Sequence, residues 1–345
     1  MGRFLKNDNC FIIAELSANH GGDIEIAKET VRAAKRAGAD AIKLQTYTAN
    51  TITLDVKSKD FKITQGTHWD GQYLYDLYKE ASLPWNWHQT LFDLAEEEGL
   101  ICFSTPFDIT AVDFLEELGN PIYKVASFEI TDIPLIEYIA KTGKPIIIST
   151  GIAVIEDIKL AIETCMKAGN DQITILKCTS TYPALPQDAN LLTIPDIKDR
   201  FGVPSGLSDH TLGIEAPIIA VALGAQIIEK HFILDKKIGG PDAHFSLDES
   251  EFSEMVKAIR KTELMIGEVD YSMTEKKKKN REFSRSLFIS EDVKKGDFIS
   301  YKNVRSVRPG HGLHPKNLNE IIGKKFNCDL KKGTPMSMSF ILENV

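Results

Sequence analysis

The sequence predicts a (β/α)8 barrel (TIM barrel) followed by a small β-rich domain, and three observations carry that prediction. Eight short apolar, β-branched runs alternate with helix-period segments over about 265 residues, close to the ~250 of a typical barrel. Polar, chemically capable residues stand after almost every run. The alternation stops near Gly267 and gives way to a charge run and a tail of about 60 residues. A doubly wound sheet is the alternative way to arrange the same alternation.

The first repeat is the run 11–14 followed by 26–37, whose apolar positions recur at three and four before Gly38. Further strand candidates lie at 41–44, 100–103, 122–125, 145–148, 173–176, 204–207 and 226–228. Helical candidates fall at 87–98, 110–118, 133–141, 155–168 and 216–223, with 251–266 after the eighth run. The connection from Asn50 to Tyr75 is long and carries Trp69, Tyr73 and Tyr75. Over a barrel mouth it reads as a lid or recognition element, or else as an apolar plug on the barrel wall. Residues 275–281 read as a solvated linker, and Asp292-Val293-Lys294-Lys295-Gly296 is echoed by Asp329-Leu330-Lys331-Lys332-Gly333 as a second turn-like segment. The expected division is a barrel over 1–270, a linker over 271–285 and a β-rich domain over 286–345. So small a tail has little core of its own and is expected to pack on something.

Composition narrows the function. With 43% hydrophobic and 26% charged residues the chain is an ordinary folded protein. A formal charge of −8 gives no broad footprint for nucleic acid or anionic lipid, so neither a nucleic acid nor a membrane partner is expected. The first ten residues lack a signal-peptide apolar run and no window of about 18 apolar residues occurs, which reads as a cytoplasmic protein. Five scattered cysteines without a Cys-x-x-Cys pair argue against a disulfide framework or a zinc ribbon; Cys10, Cys102 and Cys178 read as small buried hydrophobes.

The candidate chemistry sits at the run ends. His210 and His231 follow the seventh and eighth runs, neighbours in a closed barrel, where two imidazoles can share a divalent cation and leave positions open. Either one alone is more often structural. Asp242 and His244 lie in the next loop and can add outer contacts. Lys43 and Lys124 fall within apolar runs, where an ammonium is costly unless it meets an anion; a Schiff-base role competes. The hydroxyls of Thr105, Ser127, Ser149 and Thr179, with N–H groups near Gly151, can complete an anion cradle. Glu15 precedes Asn19-His20-Gly21-Gly22 and reads either as an acid/base with a raised pKa or as a partner of a lysine.

These motifs carry a resemblance. Ile13-Ala14-Glu15 through Gly22, Ser104-Thr105-Pro106-Phe107, Ser149-Thr150-Gly151, Gly206-Leu207-Ser208-Asp209-His210-Thr211 and Glu229-Lys230-His231-Phe232 resemble the sialic acid synthase family of phosphoenolpyruvate-dependent nonulosonic acid synthases. The tail with Arg308-Pro309-Gly310-His311-Gly312 is similar to that family's antifreeze-like (SAF) domain, so the resemblance spans essentially the whole chain. Lys43 to Thr48, Trp69 to Tyr75, Ala126 to Glu129 and Lys177 to Pro183 look most like its pseudaminic acid branch.

The resemblance implies condensation of phosphoenolpyruvate with a 2,4-diacetamido-2,4,6-trideoxy-altrose, giving pseudaminic acid and phosphate. By motif, Lys43, Thr105, Lys124, Ser127, Ser149, Ser180, Tyr182 and Ser208 hold phosphoenolpyruvate, although sialic acid synthases usually have Asn where this chain has Ser180. His210 and His231 hold the metal, usually manganese in the family, with magnesium or cobalt as alternatives, and Gln45 and Asp242 meet the sugar. Glu15 handles a proton, and Tyr47, Trp69 and Phe128 offer apolar surface to a 6-methyl group. The resemblance also implies a domain-swapped homodimer in which Arg308 of one subunit reaches the sugar of its partner. A Schiff-base aldolase, a sialic or legionaminic acid synthase, and a non-catalytic sugar-binding or ice-binding protein are the alternatives.

Overall fold

The computed structural model describes residues 9–64, 66 and 69–342; the first eight residues, part of the stretch read above as lacking a leader, lie outside them. The chain forms two compact units, residues 1–267 and 268–345. The first is a closed barrel of eight parallel strands in sequence order, as the alternation predicts. Its strands and helices run β1 Phe11–Glu15, α1 Ile24–Ala37, β2 Ala41–Thr46, α2 Ala49–Ile52, α3 Leu74–Ala81, α4 His88–Glu97, β3 Ile101–Pro106 and α5 Ile109–Glu117. They continue with β4 Tyr123–Val125, α6 Ile133–Ala140, β5 Ile146–Ser149, α7 Ile155–Lys167, β6 Ile173–Cys178, α8 Thr193–Phe201, β7 Ser205–Asp209, α9 Glu215–Ala222, β8 Ile227–His231 and α10 Glu249–Ile266.

Local chemistry sets the boundaries. Asp23 caps α1 through the Glu25 N–H, and Gly38 ends it in the left-handed conformation at φ 91°. A capping box between Asp248 and Glu251 starts α10 two residues earlier than its apolar period indicates. Helix α8 escapes the sequence reading because Pro195 and four charged residues obscure its period, yet a proline in the first helical turn loses no intrahelical bond. Ile194 and Ile197 are its buried residues.

Strand parity places the chemistry. Phe11, Ile13, Ala41, Phe103, Ile122, Ile147, Leu176 and Ile227 form one buried apolar cluster inside the barrel. Because alternate residues of a strand share a face, two positions onward along seven of the strands stand Glu15, Lys43, Thr105, Lys124, Ser149, Cys178 and Glu229. Lys43 and Lys124 lie within their strands, as the sequence reading has them; Glu15, Thr105, Ser149, Cys178, Ser208, Asp209, Glu229 and His231, read as following the runs, also belong to the strands, because those runs stop before their strands do. Gly206 keeps the plug closed at β7, where a Cβ would lie 2.3 Å from the Ile227 carbonyl oxygen.

The second unit contains α11 Glu275–Arg281, β9 Ser286–Ile289, β10 Val304–Val307 and α12 Leu318–Ile321. The charge run is thus helical, with every residue of α11 exposed. Strands β9 and β10 pair antiparallel, and Leu287, Ile289, Val293, Ile299, Val304, Ile321, Phe326 and Met336 give this unit a core of its own. The two echoed segments face one another. Val293 bridges Leu330, the Lys332 N–H donates to Asp292 at 2.8 Å, and the Lys295 N–H donates to Asp329 at 2.7 Å. Among the described residues no helix is long and apolar enough to cross a membrane.

Behind the barrel wall, Lys230 is fully buried and pairs with Asp209 at 2.5 Å, also donating to the Thr211 carbonyl. Asp209→Ala strands that ammonium and should cost about 3–5 kcal/mol, whereas Asp209→Leu with Lys230→Met should recover most of the loss. Urea unfolding of both variants checks this; equal destabilisation by the two would contradict it.

Candidate active site

At the axis above the apolar plug, Lys43 meets two carboxylates. Its ammonium lies 2.7 Å from Glu15 and 3.7 Å from Glu229, and donates to Thr105 Oγ1 at 3.2 Å. Gln45 Nε2 donates to Glu15 Oε1 at 2.8 Å, and Ser208 Oγ to Glu229 Oε1 at 3.0 Å. Burial works against the charge of Lys43, but the two carboxylates outweigh it and raise its pKa. The carboxylates separate. Burial dominates at Glu15 and pushes it up to about 7 despite Lys43, whereas at Glu229 the lysines Lys43 and Lys124 overcome burial and lower it. Glu15 is a partner of Lys43, and its raised pKa is the condition that the acid/base reading requires.

Lys124 differs from Lys43. Its buried ammonium donates to the Val125 carbonyl at 2.8 Å, and burial lowers its pKa against the pull of Glu229. Nearby, the Gly151 N–H donates to Ser127 Oγ at 3.0 Å. A Cβ at Gly151 would lie 1.9 Å from Ser180 Oγ and 2.8 Å from Ser127 Oγ, so the glycine keeps a small polar hollow open. The buried hydroxyl of Ser149 has no hydrogen-bond partner among the described residues. Thr179 does not join this cradle as its sequence position suggests: its hydroxyl is taken by Lys177 at 3.0 Å and by the Asp188 carbonyl at 3.2 Å.

The two histidines are brought together, ring centroids 5.2 Å apart, with Tyr182 4.4 Å from His210 and Phe245 4.9 Å from His231. His210 Nδ1 lies 3.0 Å from the Thr179 carbonyl and so donates to it, leaving Nε2 as the ring's lone-pair nitrogen. His231 Nδ1 is buried without a hydrogen bond, 3.8 Å from Asp242, and burial with the neighbouring His210 holds its imidazole neutral, well below its ordinary pKa. The two rings differ: His231 is neutral, whereas Cys178 and the Thr179 carbonyl raise the pKa of His210 against burial, so the pair fits a divalent cation once His210 gives up its proton, although no group of three His, Cys, Asp or Glu side chains able to hold a metal occurs among the described residues. Cys178 is more than the small hydrophobe its run suggests: its sulfur lies 3.7 Å from His210 Nδ1, and His210, Ser127 and Lys124 overcome burial to bring the thiol down to about 7.

Other residues fall differently. Asp242 accepts from Ser17 Oγ and, at 3.4 Å, from the Ala18 N–H, while His244 is exposed. Arg308 is exposed on the second unit. Tyr47 is buried with Tyr78 and Phe107 at 5.9 and 5.0 Å, Phe128 is 57% exposed, and Trp69 stands 6.0 Å from Tyr182. The sequence reading assigns no role to Ser17, Glu229 or Glu129. Glu229 carried a signal, a carboxylate two positions beyond an apolar plug residue. Glu129 has a buried, unbonded Oε2, and burial pushes it up to about 7.

The NeuB family pattern matches residues 30–271 and the SAF domain pattern residues 284–342. The chain is 49% identical over 333 residues to the pseudaminic acid synthase of Campylobacter jejuni, covering 96% of this chain and 97% of that one. It is also 49% identical over 327 residues to the pseudaminic acid synthase of Helicobacter pylori, covering 94% and 96%. Among solved structures, the N-acetylneuraminic acid (sialic acid) synthetase of Leptospira borgpetersenii superposes with a TM-score of 0.71 at 32% identity, covering 79% of this chain and 90% of that one. Fold, site and relatives together define an enzyme of the sialic acid synthase type, a transferase. The chain belongs to the NeuB family.

Because Glu15 sits near 7 in the fold against an ordinary 4.5, its neutral form favours the folded state; that contribution is present below pH 4.5 and lost as pH rises through about 7. Glu15→Gln should flatten the decline in unfolding free energy across that window, and a carboxyl 13C titration should find Glu15 protonating far above Glu229. A Glu15 midpoint in the ordinary range would contradict the assignment.

Proposed function

We propose that this cytoplasmic enzyme condenses phosphoenolpyruvate with the open-chain aldehyde of 2,4-diacetamido-2,4,6-trideoxy-altrose and water, releasing pseudaminic acid and phosphate. The observation that carries the reading is Lys124, a buried amino group that among the described residues bonds only a carbonyl, beside the Ser127, Ser180 and Gly151 hollow and the Ser149 hydroxyl. A buried ammonium with donors to spare and a ring of hydroxyls suit a small, multiply charged anion. The two relatives at 49% identity, both pseudaminic acid synthases, support the sugar.

In this reading Lys43, Thr105, Lys124, Ser127, Ser149, Ser180, Tyr182 and Ser208 hold phosphoenolpyruvate, and Gln45 and Asp242 orient the sugar. Carbon 3 of phosphoenolpyruvate bonds to the aldehyde carbon, water oxygen bonds to carbon 2, and the carbon 2–oxygen bond to phosphate breaks. Glu15 accepts the proton the water loses and returns one to the aldehyde oxygen, a task suited to a carboxyl with a pKa of about 7. His210 and His231 hold the divalent metal, with manganese the first choice and magnesium or cobalt as alternatives; when bound, it polarises the aldehyde oxygen. The raised pKa of Lys43 opposes a Schiff-base role there, since an imine needs the free amine; for Lys124, whose pKa burial lowers, borohydride trapping of a substrate adduct would reveal that role. We further propose a domain-swapped homodimer in which Arg308 serves the partner's sugar site.

Phosphate release from phosphoenolpyruvate should be fastest with the altrose-derived sugar, slower with its diacetamido mannose counterpart and N-acetylmannosamine, and abolished by chelation or by His210→Ala with His231→Ala. Better use of N-acetylmannosamine would move the enzyme to the sialic acid branch; a near wild-type rate after demetallation would remove the metal. For the dimer, mixing inactive Arg308→Ala with inactive Lys124→Ala protein should restore part of the activity after subunit exchange, because one composite site is then intact. No recovery would count against the exchange of domains.

A further inference from the structure

Ser17, just beyond β1, has φ 49°, one of two positive-φ residues other than glycine among the described residues. That left-handed conformation is free for glycine and costly for a serine, so a serine kept there needs a reason in its side chain. Its surroundings supply one. Ser17 is buried, its Oγ donates to Asp242 Oδ2, and it accepts from Gln45 Nε2 at 3.0 Å. One hydroxyl therefore joins the β2 residue and the β8 loop residue that the proposed function gives to the sugar, and Gln45 in turn holds Glu15 at 2.8 Å. Strain at a buried, fully bonded position beside reacting groups is the pattern expected of a functional residue.

We propose that Ser17 is a specificity-determining positioning residue for the condensation: its hydroxyl holds Asp242 and Gln45 at the separation that matches the polar groups of the acylamino sugar. The inference rests on the proposed function. A hydroxyl with both its donor and an acceptor site committed ties two side chains at once, so either Asp242 or Gln45 turning away breaks a bond to Ser17. None of the residues given to phosphoenolpyruvate bonds Ser17, and Lys43 is linked to it only through Gln45 and Glu15. Loss of the Ser17 hydroxyl should thus affect chiefly the sugar.

Two substitutions separate this role from support of the fold. Ser17→Gly removes the hydroxyl and relieves the backbone; Ser17→Ala removes the hydroxyl and keeps the left-handed strain. Both variants should raise KM for the preferred sugar about tenfold, the scale of a lost hydrogen bond to a charged group, and narrow the preference over N-acetylmannosamine, with KM for phosphoenolpyruvate unchanged. Thermal melts should diverge, Ser17→Gly at or above wild type and Ser17→Ala below it. If Ser17→Gly keeps the wild-type sugar KM and preference, or if the sugar defects of the pair follow their stabilities, Ser17 is structural and the inference is wrong. If the wild-type protein releases no phosphate from phosphoenolpyruvate with any sugar of the panel, the proposed function itself falls and takes this inference with it.

Discussion

Closure of eight parallel strands is the constraint from which the rest follows. In a closed barrel every second side chain of every strand must point at one narrow axis, and whatever stands there is removed from water. This chain fills the lower part of the axis with Phe11, Ile13, Phe103, Ile147, Leu176 and Ile227, then changes chemistry within two residues on seven strands. No loop has to fold correctly for Glu15, Lys43, Lys124, Ser149 and Glu229 to converge. Strand register alone does it, with Glu15 beside Lys43 across β1 and β2.

Burial then gives like residues unlike properties. Lys43 and Lys124 stand on the same face of their strands, yet two carboxylates hold the first charged while the second is left with a carbonyl and lowered by desolvation. Glu15 and Glu229 share one ammonium and are driven apart in the same way. A site built of pairs whose members differ only in surroundings can hold an anion and move a proton without any residue type that the core of an ordinary barrel lacks.

Much of this was legible in the sequence, and the reasons for success and failure are local. The barrel was readable because apolar runs recur at regular spacing, and Lys43 and Lys124 stood out because a lysine inside such a run is costly. Strand ends were not readable: Ser208-Asp209 and Glu229-Lys230-His231 continue their strands, but polar residues on a buried axis look like the start of a loop. Cys178 passed for a small hydrophobe because its neighbour His210 lies one strand away, a distance only the closed sheet removes. Ser17 gave no signal, since a backbone angle is not written in the residue that bears it.

The apolar plug has a consequence for traffic. A barrel sealed at its base is a blind well, so every molecule that enters by the mouth must leave by it. Lys124 stands one layer above the plug, while Gln45 stands a layer higher and Asp242 lies in a loop beyond the strands. On the proposed function, a ligand resting on Lys124 would lie beneath one held by Gln45 and Asp242, and the depth of the well would impose an order: the lower ligand would enter first, and its remnant would depart only after the upper one had cleared the way.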